Sequence, residues 1–544
     1  MIRLWRRSVV VSALAAFACS PALPTPSIAR SDALPRTRAE RSDYTETSRY
    51  ADVVAFLDSL RAAGAPLVFD TLGHTTEGRA IPLVIASRPA VATPEEARRL
   101  GRPIVYVQGN IHAGEVEGKE ALQALLRDLA FDPEPNVLDS IVLLAVPIYN
   151  ADGNERFGPQ AQNRNEQHGP EQVGERANAQ GLDLNRDYVK AEAPETRAAL
   201  ELLKRWDPDA FVDLHTTDGS YHGYALTYSP SLAPAAGRAG AWTQDTLLPE
   251  LRRRVAERCG VATFPYGNFA RRYGEDAQVG FRPTGWYTYD PRPRFGTNYL
   301  GLRGRVSILI EAFSHDPFAQ RVASTRAFVS ELLSLLAERS DRLRELRRTP
   351  ADGPASPVPI RSRLTEHPDT SAVVAERLAP DPDSTPDEPG VPPGVRRTGV
   401  YDTLRLPIHD RFEATLTVEP PSAYLLPPSE AAAVRVLRLH GVRVEELAEP
   451  RMIEGEAFAI DSLERAEQPF QGHREVRLTG SWERVRREVP PGWYRVPVAQ
   501  PLGTVAVYLL EPESDDGLVT WNFFDAAIAA GKMFPVLRER AASP

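Results

Sequence analysis

The chain has 544 residues, 42% of them hydrophobic and 25% charged, with 49 Pro, 36 Gly and only 2 Cys. That composition excludes a wholly disordered, collagen-like or disulfide-stapled protein, and at about 100 to 200 residues per domain it leaves room for more than one unit. The net charge of -9 and pI near 5.7 leave no basic domain to carry the footprint that a phosphate backbone requires, so nucleic acid is not expected as a partner.

Residues 1–29 read as an export signal. Arg3, Arg6 and Arg7 precede an apolar stretch, Ser8 to Ala18, and small residues follow, which is the tripartite pattern of a secretory signal peptide. Cleavage after Ala29 fits the small-x-small rule. Cleavage after Ala18 fits it too, and would leave Cys19 at the new N-terminus, where bacterial lipoproteins carry their lipid. The expected location is therefore periplasmic or extracellular, with a lipid anchor on Cys19 as the alternative. No later stretch reaches the eighteen or so apolar residues of a membrane helix, so no membrane span is expected. Cys259 then has no partner for an internal disulfide and reads as a buried small hydrophobe.

From Tyr44 to Arg347, apolar runs suited to buried strands alternate with helical patterns, the signature of an α/β sheet. The spacing predicts strands at Leu67–Leu72, Ile81–Ala86, Pro103–Val107, Ile141–Ile148, Ala210–Leu214, Tyr224–Tyr228 and Val306–Ile310. It predicts helices at Arg49–Ala62, Val116–Leu129, Ala193–Arg205 and Ala319–Leu343. Residues 348–393 contain eleven Pro and read as a linker or an irregular wrap, ending at 394. Residues 395–544 carry short alternating segments, Phe412–Val418, Val434–Leu439, Arg474–Leu478, Trp493–Val498 and Thr504–Leu510, which predict a small β-rich domain. The catalytic chemistry is expected within 41–347.

Ten His are present, and a His-x-x-Glu search hits three times, at His74, His112 and His168, so the pattern alone decides nothing. Context does. Only His112 follows a buried-strand run, Ile104 to Val107, through a short loop and precedes a long helix, which brings His112 and Glu115 towards one point. Two further strand ends supply what a catalytic zinc site of two His and one Glu needs. Phe211 to Leu214 runs into His215, and Val306 to Ile310 runs into Glu311. In open α/β sheets ligands bind outside the carboxyl ends of strands, so all four side chains can face one crevice. A His after a strand is commonly a hydrogen-bonded structural residue, and a Glu at a helix start serves the helix dipole. Glu311 resists that explanation, because a carboxylate after five buried residues is costly unless paired or used.

The order Gly109-Asn110-Ile111-His112-Ala113-Gly114-Glu115, Asn150-Ala151-Asp152-Gly153, Gly181-Leu182-Asp183-Leu184-Asn185-Arg186, Asp213-Leu214-His215 and Ile310-Glu311 resembles the zinc carboxypeptidase family of the carboxypeptidase A type. The likeness covers roughly residues 41 to 345. It implies a mixed, mostly parallel eight-stranded sheet flanked by helices, one zinc ion per chain held by His112, Glu115 and His215, and Glu311 as general base. It also implies that Asn185 and Arg186 hold the carboxylate of a peptide or protein substrate, and that Asp183 orients a zinc-bound His. For the oxyanion, Arg164 fits the family order best and Arg176 is the rival. Tyr289 stands where the family has a mobile Tyr, with Tyr287 and Tyr299 as competitors. Two departures stand out. Ala113 and Gly114 occupy the place of a second substrate-binding Arg, and the 14 residues between Ala29 and Tyr44 are too few for an inhibitory pro-segment.

The expected activity is thus a zinc carboxypeptidase. The alternatives are a zinc amidase or deacylase acting on small carboxylated amides or cell-wall peptides, and a non-catalytic envelope binding protein that keeps the metal. His222 and His315, single His in polar loops, are expected to face solvent. The acidic run Glu511 to Gly517 is expected to be a solvated turn beside an aromatic cluster rather than a calcium site.

Overall fold

Eight strands build the central sheet of the N-terminal region: β1 (Leu67–His74), β2 (Ala80–Ala86), β3 (Ile104–Gly109), β4 (Val142–Val146), β5 (Ala210–Thr216), β6 (Leu226–Pro230), β7 (Thr263–Pro265) and β8 (Val306–Ala312). Their order across the sheet is β1-β2-β4-β3-β5-β8-β6-β7. The four central strands β4, β3, β5 and β8 run parallel, and β2 and β6 flank them antiparallel. The structure is a computed structural model and describes residues 34–540 apart from 134, 218, 271–280, 348–352, 355 and 382–394. The expected export signal, Cys19 and part of the Pro-rich stretch lie outside the described residues.

Alternation along each strand sends side chains to two cores. Val105 and Val107 of β3 face a cluster with α1 (Tyr50–Ala62), α2 (Glu117–Phe131), α4 (Leu248–Cys259) and α6 (Phe318–Glu338), while Ile104 and Tyr106 face α3 (Pro194–Trp206) and α5 (Gly296–Leu302). Because both faces are covered, β3, β5 and β8 are buried along their whole length, as parallel strands under helices require. Helix α4, which the sequence reading left out, ends at Cys259; that thiol is half-buried rather than fully buried.

The Pro-rich stretch is not a bare linker. It contributes β9 (Val358–Thr365) and β10 (Ser371–Pro380), which pair with β12 (Arg411–Val418) and β11 (Val395–Leu406). A second sheet of six antiparallel strands follows, including β13 (Ala423–Leu426), β14 (Arg451–Arg465), β15 (Val476–Val489), β16 (Tyr494–Pro497) and β17 (Met533–Glu539). Two segments expected as strands are helices instead: Val434–Leu439 lies in α7 (Ala431–His440) and Thr504–Leu510 in α8 (Gly503–Leu510). Both are short; all of α8 but Thr504 is buried, so periodicity cannot separate helix from strand there, and in α7 the alternation Val434-Arg435-Val436 imitates a strand although the exposed Arg435 and Arg438 stand at helical spacing. α7 packs on α3, and His440 donates from Nε2 to Val189 O (2.9 Å) and accepts at Nδ1 from the Tyr299 hydroxyl (2.7 Å), joining the two regions.

The acidic turn is likewise not solvated. Glu511 and Asp516 are buried. Asp516 accepts from the backbone N–H of Arg294 (2.7 Å), from its Nε (2.9 Å) and from Trp521 Nε1 (3.0 Å), and Glu511 pairs with Arg538. Unpaired, these charges could not be buried.

Candidate active site

The site begins where β3 ends. Asn110 takes a left-handed conformation, φ 64°, which Asn tolerates better than most residues. Its side-chain amide donates to the carbonyls of Ala113 and Glu115, each at 3.2 Å, so the loop carrying His112 is folded back on itself. α2 then starts hard against β5: a Cβ on Gly118 would lie 2.6 Å from Leu214 Cβ, so only glycine lets the helix come this close. The Asn150 to Gly153 segment braces the same loop, because the Asn150 amide donates to the carbonyls of Ile111 (3.3 Å) and Arg176 (3.1 Å).

Three ligand-type atoms converge here. His112 Nδ1 lies 2.9 Å from Glu115 Oε1, and His215 Nδ1 lies 2.9 Å from Glu115 Oε2. One ligand atom from each of the three residues falls within 4.8 Å of the others, and all three side chains are buried. The opposite ring nitrogens point at carboxylates: His112 Nε2 at Asp183 Oδ1 (3.0 Å) and His215 Nε2 at Asp213 Oδ2 (3.1 Å). A carboxylate accepting the outer N–H of an imidazole fixes the ring with its inner nitrogen free to ligate, the arrangement metal-bound His side chains use. The donor set of two imidazoles and one carboxylate suits zinc.

Positive charge surrounds this carboxylate. Arg164 Nη1 stands 3.2 Å and Arg176 Nη1 3.5 Å from Glu115 Oε1. Burial works against ionisation, but His112, Arg164 and His215 together hold the Glu115 carboxyl well below the usual carboxylate range. Burial opposes ionisation of Asp183 too, and His112 and Arg176 overcome it.

The ligand set opens onto a cleft of about 380 Å³ that is also lined by Arg176, Asn185, Arg186, Tyr289 and Glu311. Glu311 lies opposite His215 in the β5–β8 ladder, so the two strand ends present their polar side chains side by side. Asn185 Oδ1 accepts from Gly296 N (2.8 Å), and the Arg186 guanidinium sits 3.8 Å from the Phe295 ring. The Tyr289 hydroxyl is 3.4 Å from Asn298 Oδ1, and burial pushes that phenol far up. Arg164 lines a neighbouring hollow of about 330 Å³, with His112, Glu115, Glu166 and Arg176, and donates to the carbonyls of Thr216 and Thr217, both at 2.7 Å. Among the two arginines weighed for the oxyanion, Arg176 is therefore the one in the main cleft.

Residues 53–290 match the family model described as zinc carboxypeptidase. This region belongs to the zinc carboxypeptidase family. The curated carboxypeptidase 2 of Trichophyton tonsurans is 24% identical over 499 residues, covering 85% of this chain and 81% of that one. The carboxypeptidase D of Mus musculus is 28% identical over 199 residues, which is 32% of this chain and 14% of that one. Among solved structures, the metallo-carboxypeptidase from Burkholderia cenocepacia aligns at 18% identity over 53% of this chain and 69% of that one, with a TM-score of 0.39. The match covers less than half of the chain, so the family is assigned to the matched region. The matched stretch stops before Glu311, whose place in the cleft comes from the sheet itself.

Several residues of this cleft carry little or no mark in the sequence that singles them out. Asp213 lies two residues before His215, and a carboxylate in the middle of a buried strand is the signal it leaves in the sequence. Phe470 of the C-terminal region lines the cleft, and Gln471 Oε1 accepts from Asp183 N (2.8 Å), a contact that spans 288 positions and leaves no local mark. His222 and His315, expected in solvent, are buried. His315 Nε2 donates to Gly219 O (2.9 Å) with its ring stacked on Tyr221 at 4.2 Å, and the backbone at His222 and Gly223 bridges to β10. Burial lowers both imidazoles to about 3, so they are neutral packing groups. Among the described residues, no helix is long and apolar enough to cross a membrane.

Proposed function

We propose that this chain removes the C-terminal residue of peptides, with His112, Glu115 and His215 holding one zinc ion and Glu311 acting as general base. The observation that carries the proposal is the meeting of those four side chains with Arg186 in a single cleft. When bound, zinc supplies Lewis-acid polarisation of a carbonyl and a water acidified to a pKa of about 7. Glu311, at the end of β8, takes a proton from water in the cleft and delivers it to the leaving amine.

Arg186 and Asn185 receive the terminal carboxylate. A guanidinium fork binds a planar carboxylate through two hydrogen bonds, which makes the free C-terminus a requirement rather than a preference. The Phe295 ring beneath Arg186 and the Gly296 N–H held by Asn185 keep both groups in place. Arg176 stabilises the oxyanion: its Nε and Nη2 are anchored on Asp183 Oδ2 at 3.0 and 2.9 Å, while its Nη1 faces the ligand set. Arg164 holds the Thr216 and Thr217 carbonyls that follow His215.

The test compares wild type with Glu311→Gln on acylated dipeptides whose C-termini are free or amidated. Cleavage confined to the free peptides and abolished in the variant is expected. Equal cleavage of both peptides would overturn the carboxypeptidase reading, and undiminished turnover in the variant would overturn the role of Glu311. Arg176→Ala is expected to lower kcat more than Arg164→Lys does. The pattern in residues 1–29 supports an exported enzyme, which N-terminal sequencing of the protein recovered outside the cytoplasm checks.

A further inference from the structure

We infer that the C-terminal region is part of the substrate site: Phe470 is a specificity-determining wall of the cleft, closing a pocket that favours a bulky apolar side chain at the substrate's C-terminus. This rests on the carboxypeptidase reading above.

Phe470 sits on the turn that joins β14 to β15. Phe470 N donates to His473 O (2.7 Å) and His473 N to Phe470 O (3.0 Å), which closes a two-residue turn. Gln471 and Gly472 occupy its centre with φ of 50° and 81°, the left-handed pair that tight hairpin turns require. Three contacts then fix the turn on the N-terminal region. Gln471 Oε1 accepts from Asp183 N, His473 Nε2 meets Glu192 Oε1 at 3.0 Å, and the Arg294 guanidinium lies 5.3 Å from the Phe470 ring. The wall is therefore preorganised, not a loop that must order when substrate arrives.

Phe470 is 38% exposed, one of few large apolar side chains left so open among the described residues. Its free face is turned to the same cleft as Tyr266, Tyr289, Phe295 and Leu309. The charged groups at that end compensate each other: Arg292 Nε binds Asp290 Oδ1 at 2.9 Å and Oδ2 at 2.8 Å. A charged substrate side chain would have to break that pair, whereas an apolar one meets aromatic surface. Arg186 rests on Phe295, so a carboxylate held there leaves the adjoining side chain beside these rings.

The experiment measures kcat/KM on acylated dipeptides ending in Phe, Leu and Ala, each with free and amidated C-termini, for wild type, Phe470→Ala and Phe470→Leu. A contact of this size in an apolar pocket is worth about tenfold or more in discrimination. The preference for Phe over Ala is expected to fall about tenfold in Phe470→Ala and less in Phe470→Leu. A loss by one common factor on all three peptides, or an unchanged ratio, would overturn the inference while leaving the carboxypeptidase reading intact, provided wild type still demands a free carboxylate. Wild-type cleavage of amidated peptides at the same rate would overturn both. Phe470→Leu keeps the apolar contact with the turn, so it carries the comparison if the alanine variant does not fold.

Discussion

Around Glu115 and around Asp516 the chain buries similar collections of acids and arginines, yet the two clusters are resolved in opposite ways. Glu115 faces two imidazoles and two guanidinium groups, and these hold it ionised against its burial. Asp516 faces Arg294 with the Trp521 N–H, and burial still pushes its carboxyl up to about 6. The first cluster opens onto a cleft and leaves ligand-type nitrogens aimed at a common centre. The second is closed, with Asp516 and Arg294 out of contact with water, and it ties residue 294 of one region to residues 475 and 516 of the other. Burying charge is costly in both places. Where the charges converge on space they can do chemistry; where they converge on each other they join two parts of the molecule.

Four measurements would break or sharpen that contrast. The largest effect is expected from Glu311→Gln, which should lower kcat by about 10² to 10⁴ and leave the melting temperature near that of wild type. A comparable fall in melting temperature would mean that the cleft carries structural load as well. Asp516→Ala leaves the buried Arg294 with Glu475 as its remaining acid and should cost about 3 kcal/mol of stability, read from urea unfolding. Unfolding unmoved by that change would remove the closed cluster's role as a joint. Asp213→Ala takes the acceptor from the outer nitrogen of His215 and should weaken zinc retention about 10- to 100-fold, measured by competition with a chelator; unchanged retention would show that His215 needs no such support.

The smallest effect concerns His473, at the border between the two regions. Its hydrogen bond to Glu192 raises the imidazole above its ordinary value. The raised group binds its proton more tightly when folded, so the contact is fully present below about pH 6.5 and is lost as pH climbs through the raised folded value. His473→Ala should remove about 1 kcal/mol at pH 6 and less at pH 8, seen in paired thermal melts. Equal losses at both pH values would assign the contact to packing alone.

Much of the cleft could be read from the order of residues because it lies at the ends of parallel strands. Runs such as Ile104–Val107 and Val306–Ile310 are buried on both faces, and the ligand-type side chains close behind such runs, His112, His215 and Glu311, collect at one edge of the sheet. Asp213 was visible as an oddity but not as a partner, since its meaning depends on which nitrogen of His215 faces inward. Helix α8 was misread as a strand because a buried, β-branched segment lacks a polar face to mark its period, and α7 because Val434-Arg435-Val436 alternates as a strand does, although its exposed Arg435 and Arg438 stand at helical spacing. Phe470 and Gln471 could not be found at all: their contacts cross the gap between two cores, and nothing near them in the chain records it.

The two-residue turn at Gln471 and Gly472 carries a consequence for how this cleft could diversify. Side chains alternate faces along a strand, so adding or removing one residue there would swing Phe470 away from the cleft and bring a neighbour in. The strands of the central sheet, His112, Glu115, His215 and Glu311 would keep their places in the sequence, and Asp183 would lose its contact with Gln471. Insertion or deletion of a single codon in a turn far in sequence from every candidate catalytic residue is thus a short mutational route to a different appetite for substrate.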